Sequence, residues 1–121
     1  MVRESQKNLN NSPKDTYQID YRNKREAIKE SLEDINEGAD ILMVKPAIYY
    51  LDILSEIKQK SNVPVAAYQV SGEFSMLKHA INQKWLDSDV MLESLLSIKR
   101  AGADAILSYA AKDISKEIKN K

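Results

Sequence analysis

Apolar residues recur at Ile28, Leu32 and Ile35, four and three apart, with Lys24, Glu30 and Glu33 between them. That spacing predicts an amphipathic helix from Asn23 onward. Gly38 stops it, since a glycine past the last apolar turn accepts the backbone that closes a helix. The next apolar positions are contiguous: Ile41 to Val44 is a short run between breakers, which predicts a buried strand. The same grammar returns twice. Leu51, Leu54 and Ile57 mark a helix, "SNVP" a turn and "VAAYQV" a strand. Met76, Leu77, Ala80 and Ile81 predict a short helix from about Phe74 to Gln83. "LDSD" then signals the start of a long helix over 89–101, Gly102 closes it, and "AILSYA" follows as a strand. The polar, unperiodic residues 1–16 read as a loop or a frayed piece of helix.

Helices and strands in alternation argue for parallel strands with helical crossovers, the α/β class. An internal repeat supports this: "EGADILMVKPA" and "AGADAILSYAA" share a Gly-Ala-Asp turn and an apolar strand, and five positions past Asp40 and Asp104 stand Lys45 and Tyr109. Alternation along a strand puts Lys45 on the face of Ile41 and Met43, and Tyr109 on that of Ala105 and Leu107. The middle strand runs into Ser71, placed by the same parity on the face of Ala67 and Gln69. Three parallel strands thus end in side chains able to react or to hydrogen-bond, at the carboxyl edge where such sheets carry their sites.

Composition narrows the field. The 121 residues suffice for one modest domain, and 43% hydrophobic content is ordinary for a globular chain. Eighteen basic residues balance eighteen acidic ones, interleaved, so no basic stripe tracks a nucleic-acid backbone. With no cysteine there is no disulfide or thiolate metal site in these residues, and a reducing cytoplasmic setting is expected. No apolar run nears the roughly 18 residues needed to cross a membrane, and the start lacks the core of a signal peptide.

The stretch "GADILMVKPAIYY" resembles the signature of the delta-aminolevulinic acid dehydratases, also called porphobilinogen synthases, with every constrained position met from Gly38 through Lys45, Pro46 and Ala47 to Tyr50. "TYQID", "VPVAAYQVSGEFSMLKHA" and "VMLESLLSIKRAGADAILSYAAKDI" are similar to further blocks of the bacterial enzymes, so the likeness runs from Tyr17 to near the end. That family is a TIM (β/α)8 barrel condensing two molecules of 5-aminolevulinate into porphobilinogen, on the way to haem and other tetrapyrroles. The resemblance implies that this chain is the C-terminal three βα units of such a barrel, incomplete by itself, with 1–22 the remnant of the segment after the fifth strand and 23–121 the partial barrel. It implies that Lys45 is the Schiff-base lysine. Ser71 and Tyr109 would hold the carboxylate of the substrate bound there, and Gln18 and Arg3 that of the second substrate. Glu30 aligns with a carboxylate holding an allosteric magnesium in many bacterial members. The catalytic zinc or magnesium site, a second lysine, five strands and the arm used in homo-oligomer assembly would all precede Arg3. Between Pro13 and Tyr17 the family has a longer segment with an arginine in a "GDR" context; "KDT" stands here, which damages the second-substrate clamp.

Each residue has a plainer reading beside this one. An exposed lysine has a pKa near about 10.4, and attack on a ketone needs the free amine, so burial at an apolar strand end with a second cation nearby would favour it. Otherwise Lys45 snorkels to solvent. Ser71 alone would cap a helix, Tyr109 would be a half-buried strand aromatic, and Glu30 and Arg3 solvated charges. His79 reads as structural or surface, and Trp85 and the methionines as packing groups. Two other functions stay in view: a non-catalytic α/β remnant or assembly module that needs a partner chain, and a Schiff-base lyase of aldolase type. A complementing N-terminal fragment is the partner the first reading calls for, because a three-strand arc leaves open edges and an uncovered inner face.

Overall fold

The structure, a computed structural model, describes residues 22–120. Three parallel strands, β1 (Leu42–Val44), β2 (Val65–Gln69) and β3 (Ala105–Ser108), lie side by side in that order. Helix α1 (Lys24–Asn36) leads into β1, α2 (Leu51–Lys60) crosses from β1 to β2, and α3 (Ser71–Asn82) with α4 (Val90–Ala101) crosses from β2 to β3. A last helix, α5 (Ala111–Lys119), follows β3. The expected α/β alternation is present; α5 was not among the elements the periodicity marked.

Local chemistry sets the boundaries. Asn23 caps α1 by accepting the Glu26 N–H at 3.1 Å. At the other end Gly38 has φ +101° and its N–H reaches the Ile35 carbonyl at 3.0 Å. Gly102 ends α4 with φ +124°, and a Cβ there would sit 2.9 Å from Lys58 Cγ, so both conformation and space demand glycine. Asp104 then ties the start of β3 to its neighbours. Its N–H donates to the Val65 carbonyl at 2.8 Å, and its Oδ2 accepts the Val65 N–H at 2.8 Å and the Lys58 ammonium at 2.7 Å.

The core lies on one side of the sheet. Leu42, Val44, Val65 and Ala67 point toward Leu54, Ile57 and Ile98 of α2 and α4, and all are buried. Burying each of the leucine, isoleucine and valine side chains among them contributes about 1.5–3 kcal/mol. The opposite face is bare: Ile41, Met43 and Leu107 are exposed, Met43 at 43% and Leu107 at 44%. The run expected as a buried strand is therefore buried on alternate residues only. A strand covered on both sides reads as a continuous apolar run, and here only the helix side has its cover.

Candidate functional site

The carboxyl ends of the strands carry the candidate residues. Lys45 follows Val44 at the bend that ends β1 and is half-buried. Pairing of Met43 with Ala66 and of Val44 with Ala67 puts Lys45 level with Tyr68, whose ring centroid is 6.0 Å from Lys45 Nζ. That separation is at the outer reach of a cation–π contact. Tyr68 in turn is level with Leu107 of β3. Its hydroxyl donates to the Tyr109 hydroxyl at 3.3 Å, and the two rings are 6.5 Å apart. Phe74, in the first turn of α3, backs Tyr109 at 5.9 Å. Lys45, Tyr68 and Tyr109 thus lie on the uncovered face, and a hollow of about 230 Å³ beside them is lined by Tyr68, Leu107, Ser108 and Tyr109. Tyr109 is 60% exposed, so this is an open shelf rather than a closed pocket.

The register refines the repeat. Ala105 pairs through Ala66 with Met43, not with Ile41, so Tyr109 shares the face of Lys45 but stands two residues further along, about 6.6 Å. Parity corrects Ser71. Ala67 and Gln69 face the helices and are fully buried, so the face of Lys45 on β2 is that of Ala66 and Tyr68. Ser71 is not on a strand at all; it is the exposed first residue of α3, beside the same sheet edge. The missed residue is Tyr68. Without the cross-strand register, a strand's parity relative to its neighbour is free by one residue, and one residue changes the face.

Two buried polar side chains hold these ends from behind. Gln69 accepts the Ser108 hydroxyl at 2.5 Å and its amide faces Ser94 Oγ at 3.4 Å, while Ser108 Oγ accepts the Ala110 N–H at 3.0 Å. The turn bearing Tyr109 is thereby fastened to β2 and α4. Glu73 makes a corresponding connection between α3 and the segment after Lys45.

Other expected residues lie elsewhere. Arg3 and Gln18 fall outside the described residues. Glu30 is exposed on α1 and lines a hollow of about 420 Å³ with Asp34 and Glu37, where β1 lacks a neighbour. Among the described residues no three His, Asp or Glu side chains are grouped to hold a metal ion, so Glu30 does not by itself make a magnesium site. His79 is exposed and meets Trp85 edge-on at 5.5 Å. Trp85, expected as a packing group, is 71% exposed: α3 ends at Asn82, and the connection to α4 carries the indole outward. Among the described residues no helix is long and apolar enough to cross a membrane.

Comparison with known proteins bears on the whole chain. The family model described as delta-aminolevulinic acid dehydratase matches residues 2–117. The delta-aminolevulinic acid dehydratase of Halalkalibacterium halodurans is 54% identical over 102 residues, covering 84% of this chain and 31% of that protein. That of Synechococcus elongatus is 57% identical over the same length and coverage. A crystal structure of the Toxoplasma gondii delta-aminolevulinic acid dehydratase (porphobilinogen synthase), in complex with the reaction product porphobilinogen, superposes with a TM-score of 0.84 at 49% identity, over 89% of this chain and 31% of that one. The chain therefore spans 31% of the length of these relatives.

Proposed function

Since the chain belongs to the delta-aminolevulinic acid dehydratase family of lyases, we propose that it contributes the Schiff-base lysine of a porphobilinogen synthase whose other barrel strands come from another stretch of polypeptide. The observation that carries this is the position of Lys45: at a strand's carboxyl end, on the uncovered face, with Tyr68 and Tyr109 beside it. On this reading residues 23–121 are the last three βα units of the barrel and 1–22 the remnant preceding them. The bare row of Ile41, Met43 and Leu107 is the lumen side, and β1 and β3 are the edges where the missing strands join.

The substrate is 5-aminolevulinate. The Lys45 amine adds to its ketone carbon, and the carbinolamine loses the ketone oxygen as water, with both amine protons leaving the nitrogen for the neutral imine. Ser71 and Tyr109 bind that molecule's carboxylate, and Tyr68, through its bond to the Tyr109 hydroxyl, sets where that hydroxyl points. Arg3 and Gln18 serve the second molecule. On this reading the chain is inactive without the walls that the other strands supply around Lys45. The family is metal-dependent in general, and no step is assigned to a metal here: Glu30 would be one carboxylate of a magnesium site completed by a neighbouring subunit, and the catalytic metal belongs to the missing part.

Complementation tests this. The chain is mixed or co-expressed with the preceding portion of a relative such as the Halalkalibacterium halodurans protein, and pyrrole formation from 5-aminolevulinate is followed. Activity only when both parts are present, and lost in Lys45→Ala, is expected. A complex that forms without activity favours the non-catalytic assembly module, and full activity in Lys45→Ala removes the Schiff-base role.

A further inference from the structure

Beta strand β1 ends at Val44, so the backbone N–H groups of Ala47 and Ile48 have no ladder partner although Ala47 is fully buried. Buried donors of this kind must be satisfied. Glu73 does so from α3: Oε1 accepts the Ala47 N–H at 2.9 Å and Oε2 the Ile48 N–H at 2.5 Å. Oε1 also accepts the Val70 N–H at 3.2 Å, the glutamate half of a capping box. Glu73 is 4% exposed, rare for a carboxyl side chain. Capping α3 needs only the Val70 bond. The two bonds to residues 25 and 26 positions earlier clamp a different element.

That element is the turn carrying Lys45. Pairing of Met43 and Val44 with β2 fixes the backbone on one side of the lysine, and the Ala47 and Ile48 bonds fix it on the other. Pro46 between them has a restricted φ and no N–H to offer. The direction in which the Lys45 side chain leaves the backbone is then set by a carboxyl group bonded to the backbone N–H groups of Ala47 and Ile48 on one side and of Val70 on the other. Because Glu73 stands four residues after Gln69 in the connection that follows β2, the same segment orders both flanking ends: Gln69 holds the Tyr109 turn through Ser108, and Glu73 the Lys45 turn.

We propose that Glu73 is a positioning residue of this site, its buried carboxyl group locking the turn from Lys45 to Ile48 so that the lysine amine is aimed over Tyr68. This deepens the Schiff-base reading, and only the use of the amine rests on that reading.

The test needs no substrate, so its outcome and that of the complementation assay are independent. Lysines of the free chain are dimethylated with isotope-labelled formaldehyde and a borohydride reductant, and their NMR methyl signals are assigned by Lys→Arg replacement. In the unsubstituted protein the Lys45 signal should stand apart from the surface lysines through the ring current of Tyr68. Glu73→Ala should move it into the surface group. Glu73→Gln is nearly isosteric and keeps the Oε1 acceptor, but sets an amide NH2 donor opposite the Ile48 N–H in place of the acceptor; it should speed Ile48 amide exchange about tenfold and shift the Lys45 signal part of the way. Lys58, held by Asp104, should be unmoved in both. A Lys45 signal unchanged in Glu73→Gln while Ile48 exchanges faster overturns the proposal, as does a Lys45 signal already among the surface lysines before substitution.

Discussion

Met43 and Val44 are neighbours in one strand with opposite surroundings, and a pair of polar substitutions measures the difference. Val44 is 3% exposed within the buried cluster, whereas Met43 is 43% exposed on the bare face. Val44→Thr keeps the shape and places a hydroxyl among aliphatic groups, which costs about 1–3 kcal/mol. Met43→Gln keeps the length of the side chain and leaves its amide in water, where surface substitutions fall within about 0.5 kcal/mol. Urea unfolding of the free chain, followed by far-UV circular dichroism, reads both as shifts in midpoint at constant slope. Val44→Thr should lower the midpoint clearly and Met43→Gln should barely move it. If, as proposed, further strands join and make the bare face a lumen wall, Met43→Gln should weaken that association by about 1–3 kcal/mol, the cost of an amide buried without a partner. Equal losses for the two variants in the free chain would refute the one-sided core.

Leu54 is fully buried between the helices and the sheet, and Leu54→Ala should cost about 2–5 kcal/mol in urea unfolding, a large share of the total stability of a small domain. Gly102→Ala should lower the thermal midpoint by the equivalent of about 1–3 kcal/mol, because the alanine would be held at a positive φ with its Cβ against Lys58, and an unchanged midpoint would remove the strain at this helix end. The Lys58 ammonium, followed by the Val65 N–H, holds the Asp104 carboxyl below the usual carboxylate range. Its contribution to stability is complete above the ordinary aspartate pKa and is lost as the pH falls through the lowered folded value, because the unfolded chain takes up the proton first. Asp104→Asn should therefore flatten the acid limb of midpoint against pH, and an unchanged limb would remove Asp104 from the account.

How much of this was legible in the chain depended on whether a signal was local. Helix α1 and its glycine stop could be read because spacing and punctuation lie within a few residues of each other, and the Gly-Ala-Asp repeat put Lys45 and Tyr109 on one face correctly. The facing of β2 could not, since it depends on Met43 meeting Ala66 rather than Ala67, a contact between residues 23 apart in the chain. That one-residue ambiguity set the Ala67 and Gln69 face of β2 beside Lys45 and passed over Tyr68. Glu73 was hidden differently. Its place three residues after Val70 is an ordinary capping position, and nothing near it reveals the two bonds it makes across to Ala47 and Ile48. Helix α3 accordingly begins at Ser71, three residues before the apolar spacing suggested, because the glutamate secures its first turn. Trp85 was misplaced because an indole usually supplies packing area, and only the path of the chain between α3 and α4 turns it to solvent.

The central claim is that Lys45 forms the imine with substrate once the barrel is whole. The assembled protein is incubated with 5-aminolevulinate and borohydride, then digested and mapped by mass spectrometry. The account predicts a reduced adduct on the peptide containing Lys45, abolished in Lys45→Arg. An assembled, pyrrole-forming protein with its adduct on another lysine, or with none, contradicts it.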